Sequence, residues 1–305
     1  MSQTRHATQD APTVGWIGTG KMGGPMARNL LQADIPLMIS EPVAASRDQL
    51  TDLGARAAGS LYDFASTTIV FSTLPNDQAL LEVVLRQSDP QTPGLADTLP
   101  AGAVLVEMST VSPECSELVA SRLKTAGVRY VRAPLSGSTD LAAKASLTVL
   151  ASGDRSGWDE VLPYLEKLSA RQFYLGEGEE ARYMKLVLNT LVGASSAILS
   201  EALSIGASGG LTRSDMMEVI CESAVASPLL KYKQETVVSG DYAPAFTVSQ
   251  MIKDFTLISE AARRNNVPLM TTGLILELYR SASNAGMQDE DFFALVKWQE
   301  KLSTR

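Results

Sequence analysis

From Thr13 onward, short apolar runs alternate with amphipathic stretches. Residues 13–17, 36–40, 68–73, 103–108, 129–134, 147–152 and 172–175 read as strands. Between them, residues 25–32, a stretch through 49–53, residues 77–86, a segment opening at Ser112-Pro113 and residues 158–168 read as helices. Pro113 suits a first helical turn. Strands alternating with helices of this length predict a mainly parallel, doubly wound α/β sheet. After Gly178 the alternation stops. Residues 179–209 contain no proline and predict one helix about 45 Å long at 1.5 Å per residue. Further helices are predicted near 213–222, 228–238, 248–265, 268–285 and 289–301, punctuated by Gly209-Gly210, Ser239-Gly240 and prolines. The expected organisation is a disordered tail at 1–12, an α/β domain at 13–178 and an all-α domain at 179–305, joined by the long helix.

Composition narrows the function. A chain of 305 residues with 45% hydrophobic and 20% charged residues suits two globular domains. Its net charge of −8 argues against a nucleic-acid partner, which needs a basic face, though local cations can still hold a small anion. Residues 186–207 imitate a membrane span, but Asn189, Glu201 and four serines interrupt them, so a buried helix and no membrane are expected. Residues 1–12 carry no apolar stretch of the kind a signal peptide needs. Cys115 and Cys221 cannot build a disulfide framework, and a cytoplasmic setting is expected. The only histidine, His6, lies in the polar tail. That removes a Ser-His-Asp triad, a histidine zinc site and a histidine general base, leaving lysine, carboxylate or tyrosine for proton transfer.

The first strand runs into Gly18-Thr19-Gly20-Lys21-Met22-Gly23, which opens a helix. In a Rossmann-type unit the first glycine permits the tight turn, the second lets backbone approach a pyrophosphate, and the third allows close helix–strand packing. The helix N-terminus then faces the phosphates. Glu41 closes the second strand, where an acid accepts from ribose hydroxyls and repels a 2′-phosphate. NAD is therefore favoured. NADP stays open, because Arg47 lies close by in sequence.

Four further segments stand out: Met108-Ser109-Thr110, Ala133 through Ser138, Met184-Lys185 through Asn189, and Phe246 followed by Lys253-Asp254. Together with the glycine segment they resemble the β-hydroxyacid dehydrogenase family, over nearly the whole chain. That family includes 3-hydroxyisobutyrate dehydrogenases, tartronate semialdehyde reductases and glyoxylate/succinic semialdehyde reductases. The resemblance implies that Lys185 is the proton donor and acceptor and that Asn189 positions substrate. It implies that Ser136, Gly137 and Ser138 grip the substrate carboxylate and that Thr110 lies near nicotinamide and substrate. Leu74 and Pro75 match a loop lining the cofactor. Phe246, Lys253 and Asp254 match helical-domain residues that close over the cofactor and support the lysine.

The chemistry agrees with this independently. Hydride transfer develops charge on the carbonyl oxygen, which a cation within hydrogen-bond reach stabilises. A lysine serving also as base must shed its proton near neutral pH, through desolvation or a neighbouring positive charge. Lys185, on a largely apolar helix, suits that need. One departure concerns the substrate loop, where the family commonly has an acid and this chain has Arg132. Either Arg132 adds a cation near the pocket and favours a dianionic substrate, or strand alternation points it away; the second is preferred. The expected activity is hydride exchange between NAD(P) and a small anionic β-hydroxy acid or aldehyde. Two alternatives are an imine reductase of the same architecture, against which Lys185 argues, and a catalytically silent NAD-binding sensor or structural protein, against which Lys185, Asn189 and Ser136 together argue. The long apolar helix and the resemblance imply a homodimer or homotetramer.

Overall fold

The computed structural model describes residues 13–86, 88–89 and 91–303. The expected tail at 1–12, including His6, lies outside them. Packing divides the chain into two compact units, Met1–Lys185 and Leu186–Arg305, with the division inside the long helix.

In the first unit, β1 (Val14–Ile17), β2 (Leu37–Ser40), β3 (Arg56–Ala57), β4 (Ile69–Ser72), β5 (Val104–Glu107) and β6 (Arg129–Arg132) form a parallel sheet ordered β3-β2-β1-β4-β5-β6. β7 (Leu135–Ser136) and β6 both run antiparallel to β8 (Leu147–Gly153), while β9 (Ser169–Tyr174) runs parallel to it. The helices are α1 (Gly23–Gln32), α2 (Ala44–Thr51), α3 (Asp77–Leu85), α4 (Leu95–Thr98), α5 (Pro113–Thr125), α6 (Thr139–Ala143) and α7 (Arg155–Leu165).

The central strands are mainly apolar because both sheet faces are covered, with Ser72, Glu107 and Arg132 as buried polar ends. Side chains alternate between two cores: Val14, Trp16, Ile69, Phe71, Val104 and Val106 enter one, and Ile17, Val70 and Leu105 the other. Trp16 stacks on Phe71 at 5.1 Å. Helix α5 starts as expected, with Ser112 Oγ accepting from the Cys115 amide at 3.0 Å and Pro113 in the first turn. Helix α7 starts earlier than expected because the Asp154 carboxylate caps it, accepting from the Gly157 amide at 2.6 Å.

The second unit is helical. It takes most of α8 (Glu180–Ser208), then α9 (Arg213–Glu222), α10 (Pro228–Ser239), α11 (Val248–Arg264), α12 (Met270–Ala282) and α13 (Leu295–Ser303). The helix expected at 268–285 stops at Ala282 and passes into a wide turn, Ser283–Met287, where Gly286 adopts φ 88°. The helix expected at 289–301 divides into a 3-10 turn, Phe292–Ala294, and α13. Helix α8 is long and apolar enough to cross a membrane by length and composition. Its Leu186, Ala197, Leu199 and Leu203 instead enter the core of this unit. A Cβ at Gly193 would stand 2.2 Å from the Phe255 ring, so only glycine lets α11 pack this closely on α8. The Gly193 carbonyl accepts from Tyr279 Oη at 3.0 Å.

Candidate active site

The glycine segment links β1 to α1. Gly18 has φ +81°, and a Cβ there would lie 2.2 Å from the Thr73 carbonyl oxygen; a Cβ at Gly23 would lie 2.1 Å from the Gly18 oxygen. Both are glycines for internal packing. Gly20 is different, because an added Cβ would meet nothing within 4 Å. No side chain caps α1 at Met22, and no acid lies in its first turn. Uncapped amides at a helix start beside open glycine backbone suit a phosphate pair. Glu41 Oε2 accepts from the Thr19 amide at 2.7 Å and Oε1 from the Val43 amide at 2.9 Å. The carboxylate thus braces the loop, and its remaining lone pairs suit ribose hydroxyls. Arg47 pairs with Asp48 at 3.4 Å. Lys21 is exposed. These residues fit a dinucleotide.

The loops after β1, β4 and β5 leave the carboxyl edge of one parallel sheet, where open α/β sheets bind ligands. They are bonded to one another. Trp16 Nε1 donates to Thr73 Oγ1 at 3.0 Å, and that hydroxyl donates to the Gly18 carbonyl. The Leu74 amide, beside Pro75, donates to Ser109 Oγ at 2.7 Å. The Ser109 amide donates to Glu107 Oε1 at 2.8 Å. Ser112 donates to the Asp77 carboxylate through its amide at 2.9 Å and its hydroxyl at 2.5 Å. Thr110 stands between these two held residues.

Ser136 lies half-buried in β7, and Gly137 takes φ +140°. Ser138 caps α6, its Oγ accepting from the Leu141 amide at 3.4 Å, so its hydroxyl is engaged while its own amide is not part of that cap. Asn29 of α1 donates to the Ala142 carbonyl at 2.8 Å, tying this segment to the glycine-loop helix.

A buried ionic network lies where α8 begins. Arg182 is 1% exposed and donates to the Ser109 carbonyl at 2.8 Å, Tyr130 Oη at 3.0 Å, Ser116 Oγ at 3.3 Å and the Glu107 carboxylate. Arg132 donates to Glu179 Oε1 at 2.6 Å and to the same Ser116 oxygen at 3.2 Å. Arg132 is therefore paired with an acid inside the protein. Burial pulls the Arg182 charge down, but the Glu107 carboxylate and Tyr130 more than offset it, so the guanidinium stays protonated. Burial pushes the Tyr130 hydroxyl up to about 12 against the pull of Arg182. Lys185 is half-buried, three residues after Arg182 and hence on the same side of the helix. In the helical unit, Asn189 donates to the Asp254 carboxylate; Asp254 is 1% exposed and pairs with Lys253 at 3.2 Å. Phe246 packs edge-on against Phe292 at 6.0 Å.

Residues 13–176 match the family model for the NAD binding domain of 6-phosphogluconate dehydrogenase. Residues 179–299 match that for NAD-binding of NADP-dependent 3-hydroxyisobutyrate dehydrogenase. The chain is 31% identical to 2-(hydroxymethyl)glutarate dehydrogenase of Eubacterium barkeri, over 95% of each chain. The chain belongs to the β-hydroxyacid dehydrogenase family. Another relative, the chloroplastic glyoxylate/succinic semialdehyde reductase 2 of Arabidopsis thaliana, is 28% identical over 100% of this chain and 85% of its own. Among solved structures, 3-hydroxyisobutyrate dehydrogenase (ygbJ) from Salmonella typhimurium superposes with a TM-score of 0.83 at 26% identity, covering 93% of this chain and 99% of that one.

For a β-hydroxyacid dehydrogenase, the first unit links the glycine loop, Glu41 and Leu74 through hydrogen bonds that reach Ser109, the chain neighbour of Thr110. Asn189, Lys253 and Asp254 form a second set, in the helical unit. Motif reading passed over Glu107, Ser116, Glu179 and Arg182. A carboxylate ending the apolar strand Val104–Glu107 was their one sequence signal, since a buried charge requires a partner.

Proposed function

We propose that this chain exchanges hydride between a nicotinamide dinucleotide, NAD in preference to NADP, and a small β-hydroxy acid or its aldehyde. The supporting observation is that Arg182 ties the first turn of α8 to the carboxyl edge of the sheet through the Ser109 carbonyl, with Lys185 one turn on. The bound dinucleotide supplies the hydride acceptor in oxidation and the donor in reduction. Lys185 takes the alcohol proton as the carbon–hydrogen bond breaks, and returns it to the carbonyl oxygen in reduction. Ser136 and the Gly137 and Ser138 amides hold the substrate carboxylate. Asn189, one turn beyond Lys185, contacts substrate with its amide fixed by Asp254. The Glu41 carboxylate disfavours a 2′-phosphate, and Arg47 is already paired.

Helix α8 leaves Val187, Leu191, Ile198 and Ile205 exposed, Ile205 by 73%. Such a stripe supports a homodimer or homotetramer, which size-exclusion with light scattering measures; a monomer at micromolar concentration refutes it. Two buried thiols, Cys115 and Cys221, suit a cytoplasmic setting. The activity is tested by NADH and NADPH absorbance with a panel of 3-hydroxy acids, semialdehydes and cyclic imines. Turnover of an acid or aldehyde with NADH supports the proposal. Turnover of imines alone, or of nothing despite NADH binding, overturns it.

A further inference from the structure

The geometry points to Arg182 as a positioning residue, one that sets the height of Lys185 against the β5 loop carrying Thr110. The inference rests on the function proposed above. Its basis is the number of fixed points that meet at Ser109. Glu107 takes the Ser109 amide hydrogen, Arg182 donates to the Ser109 carbonyl, and the Ser109 hydroxyl takes the Leu74 amide hydrogen. All three polar groups of one residue are held, two of them by the partners of a single buried ion pair. Ser112 is held on Asp77, so Thr110 is displayed between anchored neighbours.

Helix geometry carries this order to the lysine. Lys185 follows Arg182 by three residues, about 4.5 Å along the axis and on the same face. Fixing the guanidinium on Ser109 therefore fixes where the lysine stem leaves the helix. Stability alone does not ask for arginine here, because a well-packed apolar side chain replaces a buried ion pair with little or no loss. What an apolar residue lacks is the planar fork that reaches a carbonyl, a carboxylate and two hydroxyls together. Lysine offers only one ammonium.

The test compares wild type, Arg182→Lys and Glu107→Gln, using kcat, KM, NADH affinity by fluorescence titration without substrate, and the isotope effect with substrate deuterated at the carbinol carbon. The expected result for Arg182→Lys is a kcat about 10- to 100-fold lower, the size of effect that misplacement by an ångström produces. NADH affinity stays within about threefold, and the isotope effect rises as chemistry becomes limiting. A folded Arg182→Lys enzyme with kcat within twofold of wild type overturns the inference. So does a parallel loss of kcat and NADH affinity, which marks a general packing role. If Arg182→Lys does not fold, Glu107→Gln decides: reduced kcat with retained NADH affinity supports the inference, and unchanged kcat overturns it. A wild type that binds NADH but turns over no acid or aldehyde removes the parent reading and this one with it. An active wild type with an unaffected Arg182→Lys removes this one alone.

Discussion

Alanine at Gly18 and at Gly20 should fail in opposite ways. At Gly18 the added Cβ meets the Thr73 carbonyl oxygen at 2.2 Å in a backbone of φ +81°. The left-handed backbone costs roughly 1–2 kcal/mol and the overlap a further 1–3 kcal/mol, so about 2–5 kcal/mol of stability is lost. At roughly 2–4 °C per kcal/mol, the melting temperature falls by about 4–20 °C. At Gly20 the Cβ enters empty space and φ is outside the left-handed region, so stability changes by no more than about 0.5 kcal/mol. Its Cβ instead occupies the approach reserved for the pyrophosphate, and NADH affinity falls at least about tenfold, or 1.4 kcal/mol. Thermal melts and NADH fluorescence titrations on both variants provide the assay. A Gly20→Ala protein that melts normally and binds NADH as wild type does would refute the placement of the dinucleotide over this loop.

Glu41→Ala should raise NADPH efficiency relative to NADH, checked by the ratio of kcat/KM values; an unmoved ratio removes Glu41 as the selector. Arg132→Ala leaves Glu179 buried without its partner and should cost about 3–5 kcal/mol in denaturant unfolding, much of it recovered in the Arg132→Ala/Glu179→Ala double variant. In the folded Arg132→Ala fraction, KM should stay unchanged for every acid tested. Tyr130 is held up to about 12 by burial, above its unfolded value near 10. Its contribution is therefore complete below pH 10 and is lost as pH rises from 10 to 12, by up to about 2–3 kcal/mol, and Tyr130→Phe should flatten that part of the alkaline stability curve.

Much of the site is legible in sequence because its parts are local. Gly18 through Gly23 join one strand to one helix, and Lys185 and Asn189 are separated by a single turn, so spacing alone specifies their relation. The parallel sheet is legible because strands buried on both faces read as continuous apolar runs, as Val14–Ile17 and the 104–106 stretch do. β3, β7, α4 and α6 are not, being too short to show a period. Arg182 and Glu107 escape for another reason. One sits on a helix opening and one at a strand end, where charged residues are ordinarily solvated, and only the strand order β5-β6 beside α8 makes them neighbours. Arg132 shows the same limit: its charge is visible in sequence, but Glu179, 47 residues on, is what cancels it.

The proton-transfer role of Lys185 is tested most directly by Lys185→Ala, with kcat and NADH affinity measured on the same preparation. The predicted result is a fall in kcat of about 10²- to 10⁴-fold with NADH affinity retained. Turnover near the wild-type rate in that variant would contradict the assignment.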